Sequence, residues 1–446
     1  MIFFKLALRN LIQARRKTLL IGSALATVSL LLVILLGLTQ GMSENMLRSA
    51  TTLVTGHVNI AGFHKTRPQD SAPMITDSPK LRKTLEDIVR DRATIVDRGR
   101  GWGKIISETS SFQAVLTAID IESESNLKKR VPLAPQNIYK ENGTDKILGD
   151  MSRLSNPNTV LLFASQAKRL GVDVGDIVTI TMETVRGQRN TVDAEIVAIA
   201  REMGAFSSWN IFIPKTLYRN LYKLTDTSTG AFYLYLDDIH EAANVRAELQ
   251  TKLEEAGYRV MEYSPKPFFR KFEIVGGEDW TGQKLDLTIW EDEITYMAWA
   301  NKALDGLSFT LIGILLIIII VGIINTTFMA VRERIREIGT VRAMGMQRHQ
   351  VLTLFLIESM VMGSVSSLAG SLLASLLALV VNSAHIPLPS EALQAVLMND
   401  TLFISVHPTQ ILQTVVLFTL LTTVGAIWPS FRAATLEPVR ALQHTR

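Results

Sequence analysis

The stretch Gly99-Arg100-Gly101-Trp102-Gly103-Lys104-Ile105 is the nearest approach to a phosphate-binding loop in the chain. Such a loop needs Gly-x4-Gly-Lys-Ser/Thr, because backbone amides must cradle phosphates while the hydroxyl meets magnesium. Here the first glycine is wrongly spaced and the hydroxyl residue is missing, which excludes ATP binding of that kind. The seven histidines, at 57, 64, 240, 349, 385, 407 and 444, show no His-Glu-x-x-His and no helical metal spacing. Gly-x-Ser-x-Gly is absent, and with it the strand-to-helix elbow that exposes a hydrolase serine. The chain has no cysteine, so disulfide frameworks, thiolate zinc sites and cysteine nucleophiles are all excluded. Asn142-Gly143-Thr144 is formally a glycosylation sequon and marks a surface turn. An anchored enzyme is therefore a remote reading.

The elements that any site must be built on are set by where the charges fall. Of 446 residues, 47% are hydrophobic and only 20% charged, against about 25% in a soluble chain. Thr18–Ser43, Leu307–Val331, Val351–Val381 and Thr409–Trp428 contain one formal charge among them, Glu358. Each is long enough to cross a hydrocarbon core, which takes roughly 20 apolar helical residues. The block Gly41–Asp305, with 33 Lys and Arg against 36 Asp and Glu, has instead the composition of a water-exposed domain. The basic excess lies beside the spans, in Met1–Lys17, Arg332–Gln350 and Pro429–Arg446, so it reports topology and not a nucleic-acid partner. Counting Lys and Arg places both termini inside and the large block outside. The first apolar stretch exceeds the roughly 7–15 residues of a signal-peptide core and lacks a small-x-small site, which makes it an uncleaved anchor.

The resulting division is a cytoplasmic segment 1–17, a first span 18–40, an outer domain 41–305, a second span 306–331, a cytoplasmic loop 332–350, a third span 351–381, an outer loop 382–408, a fourth span 409–428 and a tail 429–446. Met42, Met46, Ala50, Leu53 and Val54 recur at helical spacing, so the first span is expected to run on as an amphipathic helix. Trp290, Ile294, Met297, Asn301, Leu304 and Leu307 form a matching stripe, with a helix expected from near Leu285 to Val331. Two such helices would make a stalk; the alternative is that the stripes pack onto the domain. Between them, Asn59–Ile60, Ile105–Ile119, Ile177–Met182, Val192–Ala200, Trp209–Ile213 and Ala231–Leu236 read as strands. Leu81–Val89 and Ile239–Ala256 read as helices, and Asn158–Gly171 as a short strand and helix. The outer domain is expected to be α+β in two lobes, with Pro132 to Gly149 as a loop-rich junction.

Within the spans, Gly363, Ser367, Ser371 and Ser375 recur every four residues, a small-residue stripe that lets another helix approach, whether for bundle packing or a transport groove. Asn325 needs a partner inside the bundle, and Glu358 lies within reach of the arginine-rich loop, where an ion pair would satisfy it. That loop, Arg332 to Met346, interleaves Glu333 and Glu337 with arginines, a pattern that suits a protein partner better than lipid.

Asn325-Thr326-Thr327-x-Met329-x-Val331-x-Glu333-Arg334-x-Arg336-Glu337-Ile338-Gly339-x-x-Arg342-Ala343-x-Gly345, followed by Glu358, resembles the signature of the FtsX-like permease domain of MacB-type exporters and lipoprotein-releasing (LolC/LolE) permeases. Pro429-x-x-Arg432-Ala433-Ala434-x-x-x-Pro438-x-x-Ala441-Leu442 is similar to the family's ending, and Leu8-Arg9-Asn10-Leu11 with Arg15 and Arg16 resembles its start. Ala164-x-x-Ala167-x-x-Leu170-Gly171-Val172-x-Val174-Gly175-Asp176 resembles its periplasmic segment, and Thr55-Gly56-His57-Val58-Asn59-Ile60 resembles the lipoprotein-releasing branch. The resemblance implies an α-helical membrane protein with four transmembrane helices, a type VII ABC transporter permease, with an α+β periplasmic domain on a helical stalk in the bacterial inner membrane. It implies that Arg334, Glu337, Arg342, Ala343, Met344 and Gly345 couple to a separate cytoplasmic ATPase dimer, which would hold ATP and magnesium while this chain binds no cofactor. A second permease copy or a paralogue and a periplasmic chaperone or adaptor are implied partners. The leading function is lipoprotein extraction, with acyl chains entering near Leu38, Met42, Leu307 and Phe309. The alternatives are MacB-like export of peptides or amphiphiles, or FtsX-like regulation of a periplasmic hydrolase.

Overall fold

The computed structural model describes residues 2–184, 187–333, 339–340 and 342–435. Contacts divide the chain into a helical unit (Met1–Ser43, Asn301–Pro387, Thr401–Arg446) and a sheet unit (Glu44–Ala300, Leu388–Asp400).

In the helical unit, α1 (Ile2–Gln13) precedes α2 (Arg15–Leu53), whose last turns belong to the sheet unit. Among the described residues four helices are long and apolar enough to cross a membrane, and they contain Thr18–Leu53, Gly306–Met329, Arg348–Ala384 and Pro408–Thr435, so the expected four-helix class is the one observed. Small side chains set the packing of the third of them. A Cβ on Gly370 would overlap the Ala26 carbonyl, and one on Gly363 would overlap Thr422 Oγ1. Ser29 Oγ donates to the Ser367 carbonyl (2.9 Å) and lies 3.2 Å from Ser371 Oγ, so the stripe satisfies its own hydroxyls where backbones come close.

In the sheet unit, nine strands are ordered β3-β7-β4-β6-β5-β2-β8-β1-β9, and β2 also pairs with β3. They are β1 (Val58–Lys65), β2 (Ala93–Ile106), β3 (Ser111–Ile119), β4 (Thr159–Phe163), β5 (Ile177–Glu183), β6 (Arg189–Ala200), β7 (Asn210–Pro214), β8 (Ala231–Leu236) and β9 (Gly282–Ile289). The β2–β3 pairing closes six strands into a ring, and the first half of β2 continues into the four-stranded sheet β2-β8-β1-β9. The two-residue period of a strand separates the cores. In β4, Val160 and Leu162 enter the ring interior, whereas Leu161 and Phe163 face Met46, Ala50 and Leu53 of α2. In β8, Phe232 and Leu234 pack with α3 (Ser78–Val89) and α6 (Ala242–Glu255), while Tyr233 and Tyr235 face the opposite side. The other helices used below are α4 (Ala164–Leu170), α5 (Lys215–Tyr222), α7 (Thr295–Glu333), α8 (Arg348–Ala384), α9 (Glu391–Leu397) and α10 (Pro408–Thr435).

Three expectations are corrected. Ile105–Ile119 is not one strand: Ser107 accepts from Ser110 and turns the chain between β2 and β3. Pro132–Gly149 is not the junction of the lobes, because Leu133 and Gly149 bridge to Ala200 and Ala198 of β6 and the segment belongs to the ring lobe. The shared strand β2 joins the lobes instead. The helix expected from near Leu285 begins at Trp290, and α7 at Thr295. Residues 282–289 form β9, with Leu285, Leu287 and Ile289 alternating into the core that also holds Val58 and Ile60.

Candidate functional site

The carbonyls of Thr51, Thr52 and Leu53, the last three of α2, and of Val54 just beyond it have no helical partner, as at any helix end. Here each accepts a side-chain donor from the sheet unit. Tyr235 Oη donates to Thr51 (3.1 Å), Arg98 Nη1 to Thr52 (3.0 Å), Asn210 Nδ2 to Leu53 (3.0 Å) and Tyr233 Oη to Val54 (3.0 Å). Arg98 suits the position, since a cation at a helix C-terminus also meets the negative end of the helix dipole. It is 1% exposed and is held by Glu124, equally buried, through Nε–Oε1 and Nη2–Oε2 contacts of 2.6 and 2.9 Å. Thr117 orients Asn210 by donating to its Oδ1 at 2.7 Å.

The chain leaving the sheet unit is tied to the same place. Arg100 Nε donates to Tyr233 Oη (2.6 Å), and Arg100 Nη1 lies 3.8 Å from Glu293 Oε2. Glu293 accepts from Thr288, Thr288 faces Asn59 Nδ2 at 3.4 Å, and Asn59 Oδ1 accepts from Thr55 Oγ1 and Gly56 N just beyond α2. Asp292 Oδ2 caps the Ile289 amide, and Trp290 N donates to the His57 carbonyl. One polar circuit thus joins the end of α2 to the turn that precedes α7.

The glycine run dismissed as a phosphate loop is what builds this circuit. Gly99, Gly101 and Gly103 share one face of β2, where added Cβ atoms would meet Tyr218, Tyr222 and Leu116. By strand alternation Arg98, Arg100 and Trp102 share the other face. The sequence reading missed Arg98, Arg100, Glu124, Tyr233, Tyr235 and Glu293; the period-2 alternation of glycine with large side chains was the available signal. The motif centred on His57 is likewise accounted for by packing. His57 Nδ1 accepts from Leu236 N (3.0 Å), and a Cβ on Gly56 would press on Tyr233 and Leu234. Burial, and then the nearby Arg130 cation, hold the His57 pKa down at about 4.

The sequence-derived coupling residues fall partly outside the described residues, as Arg334 and Glu337 do. Arg342 and Ala343 end a helical turn; Gly345 has φ +104° and donates to the Arg342 carbonyl, a left-handed stop that glycine adopts without strain. Ala343 is exposed and Met344 is 75% exposed. Behind this tip Val331, Val351, Phe355, Ala433 and Ala434 form a small core. Glu358 Oε1 accepts from Asn10 Nδ2 at 2.6 Å, which brings together two residues far apart in the sequence. Asn325 lies exposed on α7. Of the expected cavity residues, Met42 is buried and Leu38 half-buried, while Leu307 and Phe309 are exposed. Among the described residues no cluster of three or more potential metal ligands occurs.

Residues 309–438 match the family model of the FtsX-like permease C-terminal domain. Residues 309–438 therefore resemble an FtsX-like permease domain. Over 58 residues, 13% of this chain, it is 43% identical to the uncharacterized ABC transporter permease YknZ of Bacillus subtilis (strain 168), a match that spans 15% of that permease. Among solved structures, the extracellular domain of the noncanonic ABC-type transporter YknZ from Gram-positive bacteria aligns at 12% identity and TM-score 0.28, covering 45% of this chain and 95% of that one. The periplasmic region of MacB from Actinobacillus actinomycetemcomitans aligns at 11% identity and TM-score 0.28, covering 55% and 94%.

Proposed function

We propose that this chain is the membrane subunit of an ABC transporter whose work is mechanical and is exerted on the water side of the membrane. A separate ATPase dimer, with its ATP and magnesium, docks on the exposed Ala343–Met344 tip of the FtsX-like domain. In this reading the chain is not itself an enzyme, its termini lie in the cytoplasm, the sheet unit lies outside the inner membrane, and a second copy or a paralogue completes the permease. The observation that carries the proposal is the fully bonded end of α2. A helix whose terminal carbonyls are free frays; here those of Thr51, Thr52, Leu53 and the adjoining Val54 are held by Tyr235, Arg98, Asn210 and Tyr233, so a displacement of α2 passes to β2, β7 and β8 without a compliant loop.

The substrate class we favour is an amphiphile or peptide moved outside the membrane, as in a MacB-like exporter with a periplasmic adaptor. Lipoprotein release is a narrower form of the same work, but the His57 motif that suggested it is occupied in pairing β1 with β8. Regulation of an outer hydrolase would use the same transmission. The test is the double variant Tyr235→Phe, Arg98→Lys in the complete complex with its ATPase. Losing two such hydrogen bonds should leave ATP hydrolysis intact and lower substrate movement per ATP by about tenfold, near 1.4 kcal/mol. Unchanged coupling would refute force transmission through this joint.

A further inference from the structure

Beside the end of α2, within the sheet unit, lies a cleft of about 340 Å³. This falls in the size range of small-molecule sites, roughly 300–1,000 Å³. Its walls include Trp102, Trp209, Phe268 and Phe272, and Arg100 and Glu293 are its charged members. Trp102 is 61% exposed, an indole left without cover at the mouth. The other polar wall groups are committed: Asn210 to Leu53 and Thr117, Tyr233 to Val54, and Glu293 to Thr288.

Arg100 is different. Its side chain is 15% exposed, its Nη1 lies beyond hydrogen-bond distance of Glu293, and its buried Nη2 has no partner. Its guanidinium carbon is 4.8 Å from the Tyr233 ring centre and 5.5 Å from that of Phe268. Nη2 is closed off from the cleft, whereas Nη1 makes no hydrogen bond to Glu293 and is the donor that an incoming acceptor would meet. An anion supplies the strongest such acceptor. Aromatic walls favour a flat ring system that can stack or meet them edge-on.

We propose that this cleft is a binding site for a small anionic aromatic amphiphile, its rings among Trp102, Trp209 and Phe268 and its carboxylate on Arg100. The site abuts Leu53 and Val54 of α2 as well as Glu293, so occupancy bears on the polar circuit that ties the two chain crossings together. Binding needs no ATPase, and its outcome is independent of the transport reading.

The test uses the full chain in lipid nanodiscs, with empty nanodiscs as the reference. A fluoronaphthoate is titrated and its fluorine NMR linewidth followed, against the corresponding neutral fluoronaphthyl methanol. One saturable site per chain is expected, with the carboxylate binding about tenfold tighter than the alcohol, the worth of one charge-assisted hydrogen bond. Arg100→Gln should erase that preference, and Trp102→Ala should weaken both probes. Because Trp102 is exposed, its removal leaves the fold intact and keeps the result decisive if Arg100→Gln fails to fold. No saturable broadening beyond empty nanodiscs, equal affinity for the two probes in the unmodified chain, or affinities unmoved by Trp102→Ala would each overturn the proposal.

Discussion

His57 illustrates how a residue that draws attention in the sequence can be structural. Its ring accepts a backbone hydrogen bond from Leu236 and stands edge-on to Tyr235 at 5.6 Å, a role only the neutral imidazole fills. Its pKa is lowered from the ordinary 6.5 to about 4. Above pH 6.5 both folded and unfolded chains keep it neutral, so its contribution is complete. Between about 6.5 and 4 the unfolded chain takes up the proton first, and stability is lost as pH falls. The denaturation midpoint of the full chain should therefore drop toward pH 4, and the advantage over His57→Gln should shrink across that window. A gap that stays constant from pH 7 to pH 4 would show that the ring is not held neutral. Arg98 makes the complementary point: it immediately precedes a glycine-rich run that sequence reasoning rejected for nucleotide binding, yet it closes the end of α2. Its partner Glu124 is 26 positions away, and nothing in local composition connects the two.

At the scale of elements, long periodic segments were legible. The four apolar helices, the stripe Met46-Ala50-Leu53 that packs onto Leu161 and Phe163, and β8 were all readable from spacing. The end of β9 was not, because Leu285, Leu287 and Ile289 precede a helical stripe and only pairing with β1 makes their alternation count. The small-residue stripe on α8 was visible, but its neighbours were not. Gly370 is set against the backbone of α2 at Ala26, which cannot yield as a side chain tip could. Gly370→Leu should therefore destabilise the helical unit by about 1–3 kcal/mol, the usual cost of overpacking. Gly313→Leu, where nothing lies within 4 Å, serves as the control and should leave the midpoint unchanged. Thermal unfolding of the purified chain measures both, and equal midpoints would refute close packing at Gly370.

For the molecule as a whole, the proposed function requires separable ends: a tip that meets the ATPase and a joint that passes on the motion. Gly345 has a backbone conformation that a β-branched residue resists. Gly345→Val should distort the Arg342–Met344 tip, leave insertion unaffected, and lower stimulation of the partner ATPase by about tenfold, a loss of roughly 1.4 kcal/mol of coupling. Hydrolysis and transport at unmodified levels would refute docking there. The sequence by itself determined the number of apolar helices, the segregation of charge into a separate unit, and the absence of a nucleotide loop. These follow from composition and period, which act along the chain. Only the tertiary structure decided that β2 is shared by two lobes, that Asn10 meets Glu358, and that four side chains from three strands close the end of α2. A buried carbonyl must find a donor, but which donor reaches it depends on strand order and register, and those are fixed by contacts between residues far apart in sequence.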